Sequence, residues 1–162
     1  MSTLLKNLSD TTLTPQKLFK KVHIGIAVAE WNRDITEAML HGAVNYLVQM
    51  GVREKHIHIR QVPGSYELPL ATKWLIDKTQ VDAVLALGCV IQGETRHFDF
   101  ICDACANGIM QVGLSTGKPA IFGVLTTETE QQAKERAGGK HGNKGIEAAE
   151  TALKMLLMHH AL

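Results

Sequence analysis

The stretch AVLALGCVIQGETRHFDF, residues 83–100, begins as a core strand and ends among polar side chains. Its first half, AVLALGCVI (83–91), shows no polar alternation, which marks a strand covered on both faces. Such strands belong to parallel sheets, because the helical crossovers that connect parallel strands are what cover both sides. Gly93, Glu94, Thr95, Arg96 and His97 follow at the strand's exit. A helical stripe of Ile101, Ala104, Cys105, Ile109 and Val112 then begins at once. Strand, polar turn and helix make one βα unit.

The same grammar recurs outward in both directions. VHIGIAVAE (22–30) precedes a stripe of Ile35, Met39, Ala43, Leu47 and Met50, which Gly51 stops. IHIRQVP (57–63) precedes Leu68, Ala71, Thr72, Leu75 and Ile76 at the same spacing. AIFGVLT (120–126) leads to a short polar helix near 128–137 and a glycine cluster, GGKHGNKG (138–145). A last helix carries Ile146, Ala149, Leu153, Leu156 and Leu157. Strict alternation with right-handed crossovers predicts an α/β, doubly wound, three-layer sandwich around a four-stranded parallel sheet. Residues 22–162 form that domain. Residues 1–21 read as a polar N-terminal arm that buries little of itself, either disordered or laid on a neighbouring subunit as an added edge strand.

Composition narrows the partners. A chain of 162 residues is one ordinary domain, and a formal net charge of +1 argues against nucleic acid or a membrane surface recognised through charge. No segment approaches the ~18 consecutive apolar residues of a membrane span, and the N-terminus lacks the apolar core of a signal peptide. Three cysteines form an odd set that suits reduced thiols, so a cytoplasmic location is expected.

Ligands of an open parallel sheet bind outside the carboxyl ends of its strands. That rule selects Trp31-Asn32-Arg33, Pro63 to Glu67, Gln92 to His97, and Thr126-Thr127. A helix starting near residues 95–99 aims free amides and the positive end of its dipole at an anion. Here that anion seat lies beside a titratable imidazole. No Lys-Ser/Thr follows the 88–93 glycines, so this is not a nucleotide P-loop, and AEWNRD lacks the dinucleotide glycine fingerprint. These residues alone indicate a site for a small anionic ligand and leave catalysis open.

Four motifs extend the reading. VPGSYELPLA (62–71), GCVIQGETRHFDF (88–100), FGVLTTET (122–129) and RAGGKHGNKGIEAA (136–149) together resemble the lumazine synthase family, in order and at the family's spacing from about Val22 to the end. The resemblance implies a flavodoxin-like fold and a transferase of riboflavin biosynthesis. Its reaction condenses 5-amino-6-(D-ribitylamino)uracil with 3,4-dihydroxy-2-butanone 4-phosphate to 6,7-dimethyl-8-ribityllumazine, phosphate and water. It further implies no metal or organic cofactor, and sites shared between adjacent subunits of a homopentamer. In many members twelve pentamers close into an icosahedral shell. Residues 137–145 carry no insertion relative to the shell-forming pattern, so a shell is expected, and association with riboflavin synthase is an open partner.

Residue by residue, His97 matches the catalytic histidine, a group that moves protons near neutral pH. Arg136 matches the phosphate-binding arginine, whose planar guanidinium grips two oxygens. Glu94, through its backbone amide, and Thr95 match the pair that holds the same phosphate, and Lys144 offers a second cation or a solvated side chain. Trp31 stands where the family stacks an aromatic on the uracil ring. Ser65, Tyr66 and Glu67 match the ribityl-binding segment, and Cys89, Val90 and Ile91 the strand end lining the pyrimidine pocket. Phe122 matches a residue reaching a neighbour's site, against the ordinary reading of a core aromatic. Gln92, Arg96 and Phe100 depart from common family choices without removing a catalytic group. Cys102-x-x-Cys105 lies inside a helical pattern with no second pair, which argues against a redox or zinc site. His159-His160 reads as a solvated tail. A protein that binds flavin or lumazine without turnover is the alternative; it needs neither His97 nor Arg136.

Overall fold

A computed structural model describes residues 7–162. Its elements run β1 (Ile24–Ala29), α1 (Arg33–Gln49), β2 (Ile57–Val62), α2 (Leu68–Lys78), β3 (Ala83–Ile91), α3 (His97–Thr116), β4 (Ala120–Thr127), α4 (Glu130–Arg136), β5 (Ala137–Gly139), β6 (Gly142–Asn143) and α5 (Lys144–Ala161). Four strands form one parallel sheet in the order β2-β1-β3-β4. The chain leaves β1 toward β2 and then returns to the other side of β1 with β3. The crevice above β1 and β3 is therefore the topological switch point.

Alternate residues of the central strands feed two cores. Ile24, Ile26, Val28, Leu85 and Leu87 meet Met39 and Leu47 of α1 and Leu153 of α5. Ala27, Val84 and Ala86 meet Leu68 and Leu75 of α2 and Cys105 and Ile109 of α3. Each fully buried aliphatic contributes about 1.5–3 kcal/mol relative to exposure. The second core uses small strand residues, so α2 and α3 pack close to the sheet.

Two features lie outside what periodicity reveals. The glycine cluster folds into an antiparallel β5–β6 hairpin, with Gly138 and Gly142 at positive φ. Asn143 then joins three segments: its amide group donates to the carbonyls of Ala38 (2.9 Å) and Ala137 (3.3 Å), and its Oδ1 accepts the Gly145 amide (2.8 Å), capping α5. Gly145 lies so near α1 that a Cβ there would overlap the Met39 carbonyl oxygen.

Most of residues 7–21 stay exposed or half-buried, but the arm is anchored on its own chain. Phe19 is fully buried in the α1–α5 core, with Leu13 and Leu18 packed beside it. One carboxylate oxygen, Glu150 Oε1 on α5, accepts the amides of Thr12 (2.6 Å) and Leu13 (3.2 Å) and the Thr12 hydroxyl (3.3 Å). Leu8 donates its amide to the His141 carbonyl at 2.7 Å, and Ser9 Oγ accepts the Asn143 amide at 3.0 Å. Residues 7–21 thus run along their own chain without forming a strand. A long-range carboxylate satisfies the amides that a polar segment cannot satisfy for itself. Residues 1–6 of the expected edge strand lie outside the described residues.

Candidate active site

A cleft of about 830 Å³ opens at the switch point, lined by Trp31, Asn32, Gly64, Ser65, Tyr66, Glu67, Cys89, Val90, Ile91, His97, Phe100 and Ile101. Three strand ends build it. The β1 exit is tied to β2 by Glu30 N–H on the Val62 carbonyl (2.8 Å) and Trp31 N–H on the Pro63 carbonyl (3.3 Å). It is tied to β3 by Asn32 Nδ2 on the Cys89 carbonyl (3.0 Å). Asn32 has φ 56° and ψ 47°, the one non-glycine residue at positive φ among those described. Asparagine tolerates this region better than most side chains, and there its amide turns onto β3 while its main chain starts α1.

The second wall is the 3-10 turn Ser65–Glu67. A Cβ on Gly64 would come within 3.1 Å of Glu67 Oε2 and 3.3 Å of Trp31 Cδ1, so this glycine lets a carboxylate and an indole converge. A Cβ on Gly88 of β3 would stand 2.6 Å from Ser65 Oγ and 2.9 Å from Leu68 Cδ1. Glycine at 88 therefore allows the turn to seat against the sheet. The Ser65 hydroxyl is buried there without a hydrogen-bond partner among the described residues, which leaves the turn's main chain and Glu67 as its polar face toward the cleft.

The third wall is the β3 exit and the start of α3. Cys89 is buried, and burial pushes its thiol up to about 12, so it is no nucleophile at neutral pH. Residues 92–97 are exposed, with the Gln92 amide held on the Thr127 carbonyl at 2.8 Å. His97 is the first residue of α3, its amide 3.4 Å from Thr95 Oγ1. The N-cap residue, Arg96, makes no side-chain cap, and its carbonyl accepts the Asp99 amide at 3.1 Å. Trp31 is 72% exposed and Tyr66 60% exposed, which removes intrachain packing as an account of either ring.

Of the sequence-derived candidates, the structure brings together Trp31, Ser65, Tyr66, Glu67, Cys89, Val90, Ile91 and His97. Glu94 and Thr95 lie in the exposed turn just before His97. It does not bring Phe122, Arg136 or Lys144 to this cleft. Arg136 ends α4, with Nη1 on the Gln132 carbonyl at 2.9 Å. Phe122 and Lys144 line a second, apolar groove of about 850 Å³ between α3, β4 and α5. Phe122 is 36% exposed and not a core aromatic, and Lys144 is paired with Glu147 at 3.1 Å and not freely solvated. Asn32, Phe100 and Ile101 also line the cleft; the strand-exit rule selects Asn32, whereas Phe100 has no assigned role and Ile101 is expected on the buried stripe of its helix. For the last two, spacings of three and four from His97 on one helix face are the available signal.

The domain carrying this cleft matches, over residues 21–160, the sequence model of the family described as 6,7-dimethyl-8-ribityllumazine synthase. The chain belongs to that family. A relative from Cytophaga hutchinsonii named 6,7-dimethyl-8-ribityllumazine synthase is 56% identical over 96% of this chain and 98% of its own length. Relatives of the same name from Porphyromonas gingivalis and Thermus thermophilus are 52% and 46% identical, over 96% and 93% of this chain and 96% of their own lengths. The span shared with the lumazine synthase family includes every residue of the cleft. Among the described residues, no helix is long and apolar enough to cross a membrane, and no group of three metal-ligating side chains is arranged to hold an ion.

Proposed function

We propose that this cleft is where the chain condenses 5-amino-6-(D-ribitylamino)uracil with 3,4-dihydroxy-2-butanone 4-phosphate to form 6,7-dimethyl-8-ribityllumazine, the penultimate step of riboflavin biosynthesis. The observation that carries the reading is one opening lined by His97, an exposed indole and the Glu67 carboxylate in a chain of this family. The pyrimidine ring stacks on Trp31, and its polar edge meets the main chain of Cys89–Ile91. The ribityl hydroxyls meet the turn Ser65–Glu67, where the Glu67 carboxylate accepts hydrogen bonds.

The 5-amino group of the uracil then attacks the ketone, water leaves and an imine forms. Loss of phosphate and attack of the ribitylamino nitrogen, with loss of a second water, close the ring. Each stage moves a proton, and His97 at the mouth of the cleft is the group to carry it. The amides of residues 94–97 and the Thr95 hydroxyl bind the phosphate as its negative charge develops on departure.

The cations come from another protomer in this reading. Phe122, Arg136 and Lys144 lie away from the cleft of their own chain, and the groove holding two of them exposes Met110 and Leu114. Apolar surface of that kind supports burial against a second copy, and the assembly we assign is the family's pentamer, with a closed icosahedral shell built from it. The three free thiols support a cytoplasmic site of action; riboflavin synthase is the macromolecular partner to look for. The test is to mix the two substrates and follow lumazine by absorbance. His97→Ala should lower kcat by about 10²–10⁴-fold with the assembly's mass unchanged, and no product above the uncatalysed background from the native protein would remove the enzyme reading.

A further inference from the structure

Three histidines stand at the end of the sheet opposite the cleft. His23 precedes β1, His56 closes the 3-10 turn before β2, and His58 lies in β2 beside Gly25 of β1. His23 Nδ1 and His58 Nε2 are 3.1 Å apart, while their ring centroids are 5.4 Å apart at an interplanar angle of 14°. The difference, 2.3 Å, is about two ring radii, so both centroids and both nitrogens lie on one line. Two nitrogens facing head-on at this distance share a proton. A metal would need their lone pairs to converge at roughly 2.0–2.1 Å from a common point, or about 4 Å between them if collinear. His56 stacks on His23 with centroids 3.9 Å apart, and its own Nδ1 is buried without a partner among the described residues.

The surroundings on balance oppose added charge, although a hydrogen bond to the Val22 main chain favours a proton on His56. The charged neighbours are Arg53 and Lys55 at the turn, Arg60 on β2, and Asp82 ahead of β3. Asp82 is committed to the main chain: its Oδ2 accepts the His23 amide at 2.7 Å, and its amide donates to the His23 carbonyl at 2.7 Å. On this face α2 contributes Leu75, an apolar side chain.

We propose that the three imidazoles form a proton-operated clasp holding the start of edge strand β2 to β1. One ring donates and one accepts when both are neutral, and a first extra proton on the far nitrogen of the donor only strengthens that bond. The next proton must enter the acceptor nitrogen, which turns the contact into two donors face to face beneath a third ring. The clasp then opens. Burial first, then the charge of His23 and of Arg53 or Arg60, holds His56 and His58 below the ordinary histidine range. Because the opened strand takes up protons more readily, the clasp is at full strength above about pH 6.5 and weakens as the pH falls below it.

Hydrogen exchange on the intact assembled protein, read by mass spectrometry at about pH 7.5 and about pH 5.5 and corrected for intrinsic rates, tests this. Below about pH 6.5, opening of residues 54–60 should rise by up to roughly tenfold per pH unit for each proton taken up, while β3 residues 84–88 stay level. His58→Gln, which cannot titrate, should flatten the response of 54–60. If that variant does not fold, the contrast between the two segments in the native protein decides alone. An equal response in both segments, or an unchanged slope in His58→Gln, overturns the clasp.

Discussion

Replacing Glu150 with alanine should loosen the N-terminal arm and destabilise the whole domain. The carboxylate is buried, and its Oε1 holds the Thr12 and Leu13 amides, the Thr12 hydroxyl and the Lys154 ammonium, the last at 3.1 Å. Hydrogen bonds to a charged partner contribute about 1.5–3 kcal/mol each, and water at the exposed parts of the arm recovers part of that sum. A net loss of about 3 kcal/mol is expected for Glu150→Ala, and about 1 kcal/mol for Glu150→Gln, which keeps a carbonyl acceptor. At roughly 2–4 °C per kcal/mol for a domain of this size, Tm should fall by roughly 6–12 °C and 2–4 °C respectively. Trypsin should also cut faster after Lys17, Lys20 and Lys21 in the alanine variant. Burial works to raise the Glu150 pKa, but the Thr12 amide, the Lys154 ammonium and the Leu13 amide outweigh it and hold it below the ordinary value. Its contribution is thus complete above about pH 4.3 and is lost as pH falls through the lower folded value, a window in which Glu150→Gln should be flat. Equal Tm and equal cleavage in all three proteins would refute the latch.

Gly88→Ala pushes a methyl into Ser65 Oγ and Leu68 Cδ1; it should cost about 1–3 kcal/mol and raise KM for the ribitylaminouracil, and kinetics and Tm at native values would show that the turn does not need this seat. Arg136→Ala should raise KM for the phosphate substrate while leaving the other substrate's KM near native, and unchanged values for both would remove Arg136 from the site. Burial raises all three thiols, and Cys89 and Cys105 reach about 12, so iodoacetamide at neutral pH should modify half-buried Cys102 first. Labelling of Cys89 at the Cys102 rate in folded protein would contradict the packing of β3.

Local pattern was enough for the elements. Strands at 24–29, 57–62, 83–91 and 120–127 coincide with the four apolar runs, and α3 begins at His97, inside the window set by Thr95 to Asp99. Periodicity reports which face a residue buries, and the central strands β1 and β3 bury both, while the edge strand β2 buries neither fully. The cleft was legible for the same reason: strand exits are sequence features, and a parallel sheet gathers them at one end. Contacts between distant residues were not legible. Neither the left-handed turn of Asn32 onto Cys89 nor the reach of Glu150 back to Thr12 leaves a period in the chain, because each is an angle or a distance set by packing.

By itself, then, the order of residues determined the α/β alternation, the loops that meet above β1 and β3, and the candidate groups within them. Only the tertiary structure decided the strand order β2-β1-β3-β4, the docking of residues 7–21, and the division of those groups between the cleft and the far side of β4. The physical reason is range. Burial preference and turn chemistry act within a few residues, whereas Phe122 and Lys144 are held on their side of the sheet by the packing of α3, β4 and α5 against one another.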